Sequence, residues 1–206
     1  LEQRVEGVSL DDSDMSSVKV AVSAVLGSAS LAPAVRCLYA YTFLGNGEVQ
    51  LEVQVIPLRK LPVLPRVGVQ LRLPGHLDRF AWYGRGPHEN YIDRMESARV
   101  GVYRSTVAEQ YVPYIFPQEN GNKSDVRWAS LTNLRGEGLL VLGAPLINVS
   151  ALHYTPQDLT TAAHTYELEP RDEIILHLDL AHHGLGSNSC GPVPLEKYWL
   201  KPAPFK

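Results

Sequence analysis

The sequence predicts an all-β fold, a large antiparallel β-sandwich with one short helix. Stretches in which apolar and polar residues alternate recur along most of the chain, and this period of two is typical of half-buried strands. Glycine, proline and asparagine separate these stretches, as expected for turns. Strands and long helices do not alternate, so a parallel sheet is not expected. At 206 residues the chain is long enough for one all-β domain, and we expect residues 1–206 to form a single domain.

The first third of the chain predicts three strands. Residues 1–17 are polar and contain an acidic turn, so we interpret them as a segment that leads into the fold. Alternating valines from Val18 to Val22 then indicate a strand. Two longer alternations, 35–43 and 49–55, flank Gly45-Asn46-Gly47, which tolerates the positive φ angles of a tight hairpin. On this pattern Cys37 is a small buried core residue.

The rest of the chain predicts further strands and the helix. Strands are expected at 67–73, around Phe80 and Trp82, at 100–107, in a hairpin of 126–131 with 138–142, at 147–152, at 174–180 and near 196–200. The prolines of 111–117 favour an extended loop. Thr155, Pro156 and Asp158 are the cap, first residue and first-turn acid of a short helix that we expect to end near Ala163.

Composition excludes several classes of protein. The net charge is −3, without a cluster of Lys and Arg, which disfavours binding to nucleic acid or to an anionic membrane. The apolar runs are too short for a transmembrane helix, and residues 1–4 lack the apolar core of a secretory signal. The two cysteines, Cys37 and Cys190, are far apart and have no metal-binding spacing. We therefore expect a reducing compartment, which predicts the cytoplasm.

Two polar and aromatic segments are the candidate functional motifs. The first runs from Trp82 to Arg94 and the second from Pro117 to Trp128. Turns need glycine and proline, but they do not need this many aromatic rings, carboxylates, amides and arginines. Such a mixture is typical of a polar pocket with aromatic walls.

Each motif also has a purely structural interpretation. The charged groups of the first motif can tie their loop to neighbouring backbone as buried ion pairs, and we favour that role for Arg85, His88, Glu89, Asn90, Tyr91, Asp93 and Arg94. Direct contact with substrate stays open for the second motif, in Glu119, Asn120, Arg127 and Trp128, although Asn120-Gly121 also suits a tight turn. No metal site is predicted, because adjacent residues such as His182 and His183 point to opposite faces of a strand.

Three segments in the same order resemble the C-terminal small-chain domain of β-galactosidases in family 2 of the glycoside hydrolases. They are Gly84-Arg85-Gly86-Pro87-His88-Glu89-Asn90-Tyr91-Ile92-Asp93-Arg94, Tyr114-Ile115-Phe116-Pro117-Gln118-Glu119-Asn120-Gly121 and Gly184-Leu185-Gly186-Ser187-Asn188-Ser189-Cys190-Gly191-Pro192. The resemblance covers roughly residues 39–200. It implies a supersandwich of the galactose-mutarotase-like type, of which this chain would be the C-terminal portion.

The resemblance also implies a role for the third segment. In many members of the family its glycine-rich loop carries a tryptophan on which the sugar stacks, and Cys190 stands at the matching position here. A thiol offers no broad π face, so another aromatic residue would have to stack on the sugar. His183, Asn188 and Cys190 join the candidate substrate-binding residues on this basis.

The resemblance implies a division of labour in a larger enzyme. In the family, a separate (β/α)8 barrel carries the catalytic glutamates, and the parent enzyme hydrolyses terminal β-D-galactosides such as lactose with retention. We therefore expect no catalytic residue and no cofactor in this chain, with Mg and Na in the parent. The expected partners are the remaining domains or the large subunit, the β-galactoside substrate, and further copies of the parent in a homo-oligomer, but no nucleic acid and no membrane.

Two rival functions remain at this stage. Aldose mutarotation needs a histidine acid and a glutamate base, which His88 or His183 could form with Glu119. A stand-alone carbohydrate-binding module would need the aromatic and amide residues but no acid and base. Polarimetry of fresh α-galactose and calorimetric titration with galactose or lactose distinguish these two functions.

Overall fold

Alternating apolar residues form ten strands in the computed structural model, which describes residues 2–28, 31–186 and 191–206. Within these residues the strands are β1 Glu2–Asp11, β2 Ser17–Gly27, β3 Val35–Leu44, β4 Val49–Pro57, β5 Arg66–Pro74, β6 Arg79–Gly86, β7 Arg99–Thr106, β8 Lys123–Thr132, β9 Gly138–Leu152 and β10 Glu173–His182. The α-helix, α1, spans Pro156–Thr161. The chain divides into two units, Leu1–Leu64 with Lys201–Lys206, and Pro65–Leu200.

The first unit is a four-stranded antiparallel sheet in the order β1-β2-β3-β4. The predicted hairpin of β3 and β4 is confirmed, and Gly47 in its turn has a φ of 89°. A small core of Ala34, Val35 and Cys37 is buried, so the prediction for Cys37 is confirmed. Burial raises the pKa of the Cys37 thiol, as expected for a residue that packs as a hydrophobe.

The interpretation of residues 1–17 was wrong in part, because Glu2–Asp11 forms strand β1. All ten of its residues are exposed, so β1 lacks the half-buried character on which the prediction of a strand from alternating residues depends. Backbone pairing with β2, from Glu2 opposite Gly27 to Asp11 opposite Lys19, holds it in the sheet. A single irregularity between Val5 and Gly7 shifts the register of this pairing.

The second unit is a six-stranded antiparallel sheet in the order β5-β10-β9-β8-β6-β7. One face carries an apolar core whose buried members are Phe80, Trp82, Val107, Val126, Ala129, Leu131, Val149, Ala151, Ile174 and Leu176. Residues that alternate with Leu176 along β10 point to the opposite face. On that face β10 carries His177 and Asp179, which are buried as well. The sheet therefore has apolar side chains on one face and buried polar side chains on the other.

Two local predictions had different outcomes. Helix α1 begins where its cap predicts, with a capping box in which Thr155 and Asp158 each accept from the other's backbone N–H. The strand expected near 196–200 was wrong, because Glu196–Tyr198 is a 3-10 turn. Two of its backbone bonds, Tyr198 N–H to Leu195 and Trp199 N–H to Glu196, are local, and the Tyr198 carbonyl accepts the N–H of Gly184.

The predicted fold class is confirmed. The described residues form two antiparallel sheets with one short α-helix, consistent with an all-β sandwich. Among these residues, no helix combines the length and the hydropathy needed to cross a membrane.

Candidate functional site

Glu89 links the first motif to the second. Its Oε1 lies 2.8 Å from Arg94 Nη2 and accepts the hydroxyl of Tyr114, while its Oε2 accepts the backbone N–H of Gly121 at 2.8 Å. The Arg94 guanidinium also lies 4.9 Å from the ring centre of Tyr91. A single carboxylate thus joins three chain segments.

Asn90 connects the same two motifs through the backbone. Its Oδ1 accepts the N–H of Ser124 at 2.8 Å, and its backbone N–H donates to the carbonyl of Asn122 at 2.8 Å. Asn122 Nδ2 donates to the carbonyl of Asn90 at 2.7 Å. Neither asparagine is exposed, so these bonds satisfy polar groups that burial would otherwise leave unpaired.

Asp93 connects the first motif to the glycine-rich segment that begins at Gly184, which we call the third motif. Its two carboxylate oxygens accept the backbone N–H groups of Leu185, at 3.1 Å, and of Gly186, at 2.7 Å. A Cβ on Gly184 would lie 3.0 Å from Asp93 Cγ, so only glycine fits without displacing the carboxylate. Asn188 and Cys190 lie outside the described residues, and their predicted contacts with substrate stay predictions.

Arg85 holds the loop that follows β6. Its Nε lies 2.5 Å from Asp125 Oδ2, and its Nη1 donates to the carbonyls of Ala98 at 3.0 Å and Met95 at 3.3 Å. Asp125 has a φ of 54°, which is uncommon for a residue with a side chain. The ion pair with Arg85 helps to keep it in that conformation.

Two of the predicted histidines form contacts of their own. His88 Nε2 lies 2.9 Å from the hydroxyl of Ser97 near the surface. His183 Nδ1 accepts the backbone N–H of Leu200 at 3.1 Å, which attaches the C-terminal segment of this unit to the end of β10. Neither contact involves Glu119.

The remaining predicted residues lie apart from one another. Asn120 is fully buried, and its side chain closes its own loop by accepting from Val112 N–H and donating to the carbonyl of Gln118. Arg127 lies over the ring of Tyr83, 5.2 Å from its centre, and Trp128 is paired with Tyr83 across β6 and β8.

Glu119 belongs to a cluster of ionisable groups around Arg66. Arg66 Nη2 lies 2.7 Å from Glu119 Oε1 and 2.9 Å from His182 Nε2, and Arg66 Nε lies 3.6 Å from Asp179 Oδ2. Asp179 is 1% exposed, and within the described residues neither of its oxygens has a hydrogen-bond partner. A Cβ at Gly68 would overlap this carboxylate, so the neighbouring strand makes room for it.

The bonds of His182 place a proton on one ring nitrogen. Its Nδ1 lies 2.6 Å from the carbonyl of His183, which can only accept, so Nδ1 carries the proton. Its Nε2 lies 2.9 Å from Arg66 Nη2 and 3.7 Å from Glu119 Oε1. The edge of the ring packs against Tyr91, with centroids 5.2 Å apart.

Burial and charge shift the pKa values of the cluster in different directions. Burial raises the pKa of Asp179 to about 6, against the opposing charge of Arg66. Burial lowers the pKa of His177 to about 4, and Arg66 adds to this effect. Burial alone would raise the pKa of Glu119, but His182 and the charge of Arg66 lower it below its usual value. Glu119 is therefore the carboxylate held ionised at neutral pH, beside His182.

A cavity of about 310 Å³ opens beside this cluster. Its volume is at the lower end of the range for small-molecule sites. Trp199 is 39% exposed and supplies an aromatic wall, while amide, carboxylate and amine groups supply polar contacts. Lining residues include Ile92, Asp125, Asn148, His182, Lys197 and Trp199.

Sequence reasoning found part of this site and missed part of it. It identified Glu119 and the two motifs that contain Ile92 and Asp125, but it did not single out Arg66, His177 or Asp179. The available signal was the presence of a histidine and an aspartate inside the apolar strand Ile174–Leu180. Trp199 was also missed, because the C-terminal segment was interpreted as a strand.

The resemblance implies Mg and Na in the parent enzyme rather than in this chain. No three His, Cys, Asp or Glu side chains within them are grouped so that they could hold a metal ion. Most carboxylates of the motifs are bound by arginine or by backbone N–H groups. No Mg²⁺ site is therefore assigned here.

Comparison with known proteins gives a consistent result. The family model "Beta galactosidase small chain" matches residues 2–206. A β-galactosidase of Priestia megaterium is 36% identical over 191 residues, which cover 91% of this chain and 18% of the relative. One from Vibrio cholerae is 39% identical over 184 residues, covering 88% and 17%, and one from Arthrobacter sp. is 36% identical over 165 residues, covering 77% and 16%.

The chain spans less than a fifth of the length of these curated relatives. The match nevertheless includes almost all of the chain, both units and all three motifs. The resemblance stated from the motifs is therefore confirmed: this chain belongs to the β-galactosidase small-chain family.

Proposed function

We propose that this chain is a non-catalytic part of a β-galactosidase that helps to form the galactoside-binding pocket. The carboxylates that cleave the glycosidic bond lie on another part of the enzyme. The parent enzyme hydrolyses terminal β-D-galactosides with retention. Its remaining domains, or a large subunit, are the partners of this chain in a cytoplasmic homo-oligomer, and any Mg or Na belongs to residues outside this chain.

The observation that carries this proposal is the engagement of the motif carboxylates. Retaining cleavage needs two carboxyl groups about 5 Å apart, one protonated and one free to attack the sugar. Glu89 and Asp93 accept backbone N–H groups of other loops, while Glu119 and Asp125 are paired with arginines. All four carboxylates are thus engaged in holding the structure together.

The cavity supports the proposal that this chain helps to form the galactoside-binding pocket. A galactoside needs an apolar or aromatic surface for its ring and fixed polar groups for its hydroxyls. Trp199 supplies the first, and Asn148, Asp125 and Lys197 supply the second. In this arrangement Trp199 takes the stacking role that Cys190 cannot fill.

Hydrolysis of a chromogenic β-galactoside tests this proposal. The isolated chain should show no turnover, and addition of the remaining part of the parent enzyme should restore it. In the assembled enzyme, Trp199→Ala should raise KM about fivefold, because a lost stacking contact costs on the order of 1 kcal/mol. Tyr166→Ala is the matched control, since Tyr166 is 80% exposed and outside the cavity, and its KM should not change.

Two results would contradict the proposal. Turnover by the isolated chain above that of a buffer blank would place the catalytic pair within it. Equal KM values for the Trp199→Ala and Tyr166→Ala enzymes would remove the cavity from the galactoside pocket.

A second candidate function is aldose mutarotation, which the pair of Glu119 and His182 favours. An ionised carboxylate and an imidazole lie 3.7 Å apart, as acid and base on one sugar would require. This candidate function uses His182, which lies near Glu119, in place of His88 or His183. Polarimetry of fresh α-galactose should show acceleration by the chain that Glu119→Gln abolishes. The control Glu109→Gln changes a carboxylate that binds Ser105 and Thr106 instead, and it should leave the rate unchanged.

A further inference from the structure

The sheet of the first unit has one face that is almost entirely apolar. Residues directly opposite each other in neighbouring strands point to the same face. The register therefore places apolar side chains of all four strands together, and we call this set the apolar face: Val5, Val8, Leu10, Val18, Val20, Val22, Ala24, Leu26, Val35, Cys37, Tyr39, Tyr41, Phe43, Val49, Leu51, Val53 and Val55. The opposite face carries Lys19, Thr42, Gln50 and Glu52.

One end of the apolar face is exposed. Ala24, Val35 and Cys37 are buried at the other end, but Leu10 is 64% exposed and Val49 is 54% exposed. Exposed apolar patches of this kind are uncommon on monomeric proteins and mark interaction sites. Because the exposed residues come from all four strands, the patch is a continuous surface.

An aromatic ladder stiffens this surface. The rings of Tyr39 and Tyr41 stack with centroids 6.4 Å apart, and those of Tyr41 and Phe43 with centroids 6.2 Å apart. Stacked rings on a strand lose little conformational freedom when a partner covers them. The ladder therefore gives the apolar face the character of a preformed binding surface.

We infer that the apolar face docks onto an apolar surface in the remaining part of the parent β-galactosidase. This inference rests on the proposed function and adds the place of contact. The matched region is less than a fifth of the length of the β-galactosidase relatives. The rest of the parent enzyme is therefore long enough to provide the partner surface. The exposed end of the face has no charged side chain, which requires an equally uncharged, apolar partner.

Cysteine labelling tests which face is covered. Leu51 and Gln50 are neighbours on β4, both exposed, and they point to opposite faces. Leu51→Cys and Gln50→Cys are each made in a background where Cys37 and Cys190 are replaced by Ala, and reaction with a maleimide is timed. In the assembled enzyme, Leu51→Cys should react at least tenfold more slowly than Gln50→Cys. In the isolated chain the two variants should react at similar rates.

The possible outcomes separate this inference from the function on which it rests. Similar labelling rates in an assembled, active enzyme would overturn the docking face and leave the proposed function intact. Failure of the two parts to give an active enzyme would overturn the proposed function instead. Slow labelling of Leu51→Cys in the isolated chain, together with a doubled mass in light scattering, would identify a second copy as the occupant and overturn our choice.

Discussion

Both sheets of this chain alternate apolar and polar side chains, but they differ in whether the apolar face is buried. In the six-stranded sheet the apolar side chains of one face are buried and form the core. The other face holds an ionic cluster around Arg66. In the four-stranded sheet the core is small, and the apolar face is exposed toward Leu10 and Val49. Exposed apolar surface is costly in a monomer, so the apolar face indicates a role outside the fold itself.

This comparison separates the tasks of the two units. The second unit joins its three motifs through Glu89, Asn90 and Asp93, and it brings a cavity next to an ionised glutamate. The first unit offers a flat, uncharged surface stiffened by stacked rings. We therefore expect the second unit to contact the sugar and the first to contact the rest of the enzyme.

The ionic cluster should show the largest effect on stability. Arg66→Met removes the cation that faces the buried Asp179 and the half-buried Glu119, so the free energy of unfolding should fall by about 4 kcal/mol. Arg72→Met, on the same strand, breaks an exposed pair with Glu173 and should cost less than about 1 kcal/mol. Urea denaturation followed by tryptophan fluorescence measures both. Equal losses would show that the cluster is not a special feature of this unit.

Removal of one phenylalanine from each unit sharpens the comparison. Phe80 is 1% exposed, and Phe80→Ala should lower the free energy of unfolding by about 3 kcal/mol, because it leaves a cavity in the core. Phe43 is 43% exposed, and Phe43→Ala should cost less than about 1 kcal/mol in the isolated chain. Urea denaturation followed by far-ultraviolet circular dichroism checks both values. A large loss for Phe43→Ala would mean that the apolar face is already covered.

The pH dependence of the free energy of unfolding of the second unit is set by two groups with opposing effects, Asp179 and His177. Asp179 has a folded-state pKa of about 6, above the value of 3.8 for a free carboxyl, so its contribution to stability is lost as pH rises toward 6. His177 has a folded-state pKa of about 4, below the usual 6.5, so its contribution is lost as pH falls from 6.5 toward 4. The two effects therefore offset each other between about pH 4 and 6.

Variants of these two residues should separate the effects. Relative to the unmodified chain, Asp179→Asn should make the free energy of unfolding fall more steeply below pH 6.5. His177→Gln should make it fall less steeply, with differences of up to about 2 kcal/mol. Urea denaturation at several pH values from 4.5 to about 7.5 tests this. Three parallel curves would contradict the pKa assignments.

The smallest effect is expected at helix α1. Thr155→Ala removes the acceptor for the Asp158 N–H and should lower the free energy of unfolding by about 1 kcal/mol. Thr160→Ala, on the exposed side of the same helix, should cost less than Thr155→Ala. The same denaturation measurement compares them. Equal losses would show that the capping box does not stabilise the second unit.

The sequence predicted most of the strands because their signals are local. The hairpin of β3 and β4 and the helix start at Thr155 follow from turn and cap residues. Strand β1 was missed because every residue in it is exposed, and only its pairing with β2 reveals it. The segment Glu196–Tyr198 was misassigned because three residues cannot distinguish a strand from a 3-10 turn.

The site was predicted less completely than the fold. The motifs around Glu89 and Glu119 stood out because they crowd polar and aromatic residues into short segments. Arg66 and Asp179 did not, because each is one of several polar residues that alternate with apolar residues in a strand. Only the pairing of β5 with β10 brings them together. Long-range pairing of this kind leaves no local pattern in the sequence.

The central claim, that this chain lends its parent enzyme a binding surface but no catalytic carboxylate, can be tested by trapping. Retaining enzymes form a covalent glycosyl-enzyme intermediate, which a 2-deoxy-2-fluorogalactoside with a good leaving group accumulates. The assembled enzyme is treated with this reagent, digested and mapped by mass spectrometry. Our account predicts the label on a carboxylate outside residues 1–206, and a label on any Asp or Glu of this chain would contradict it.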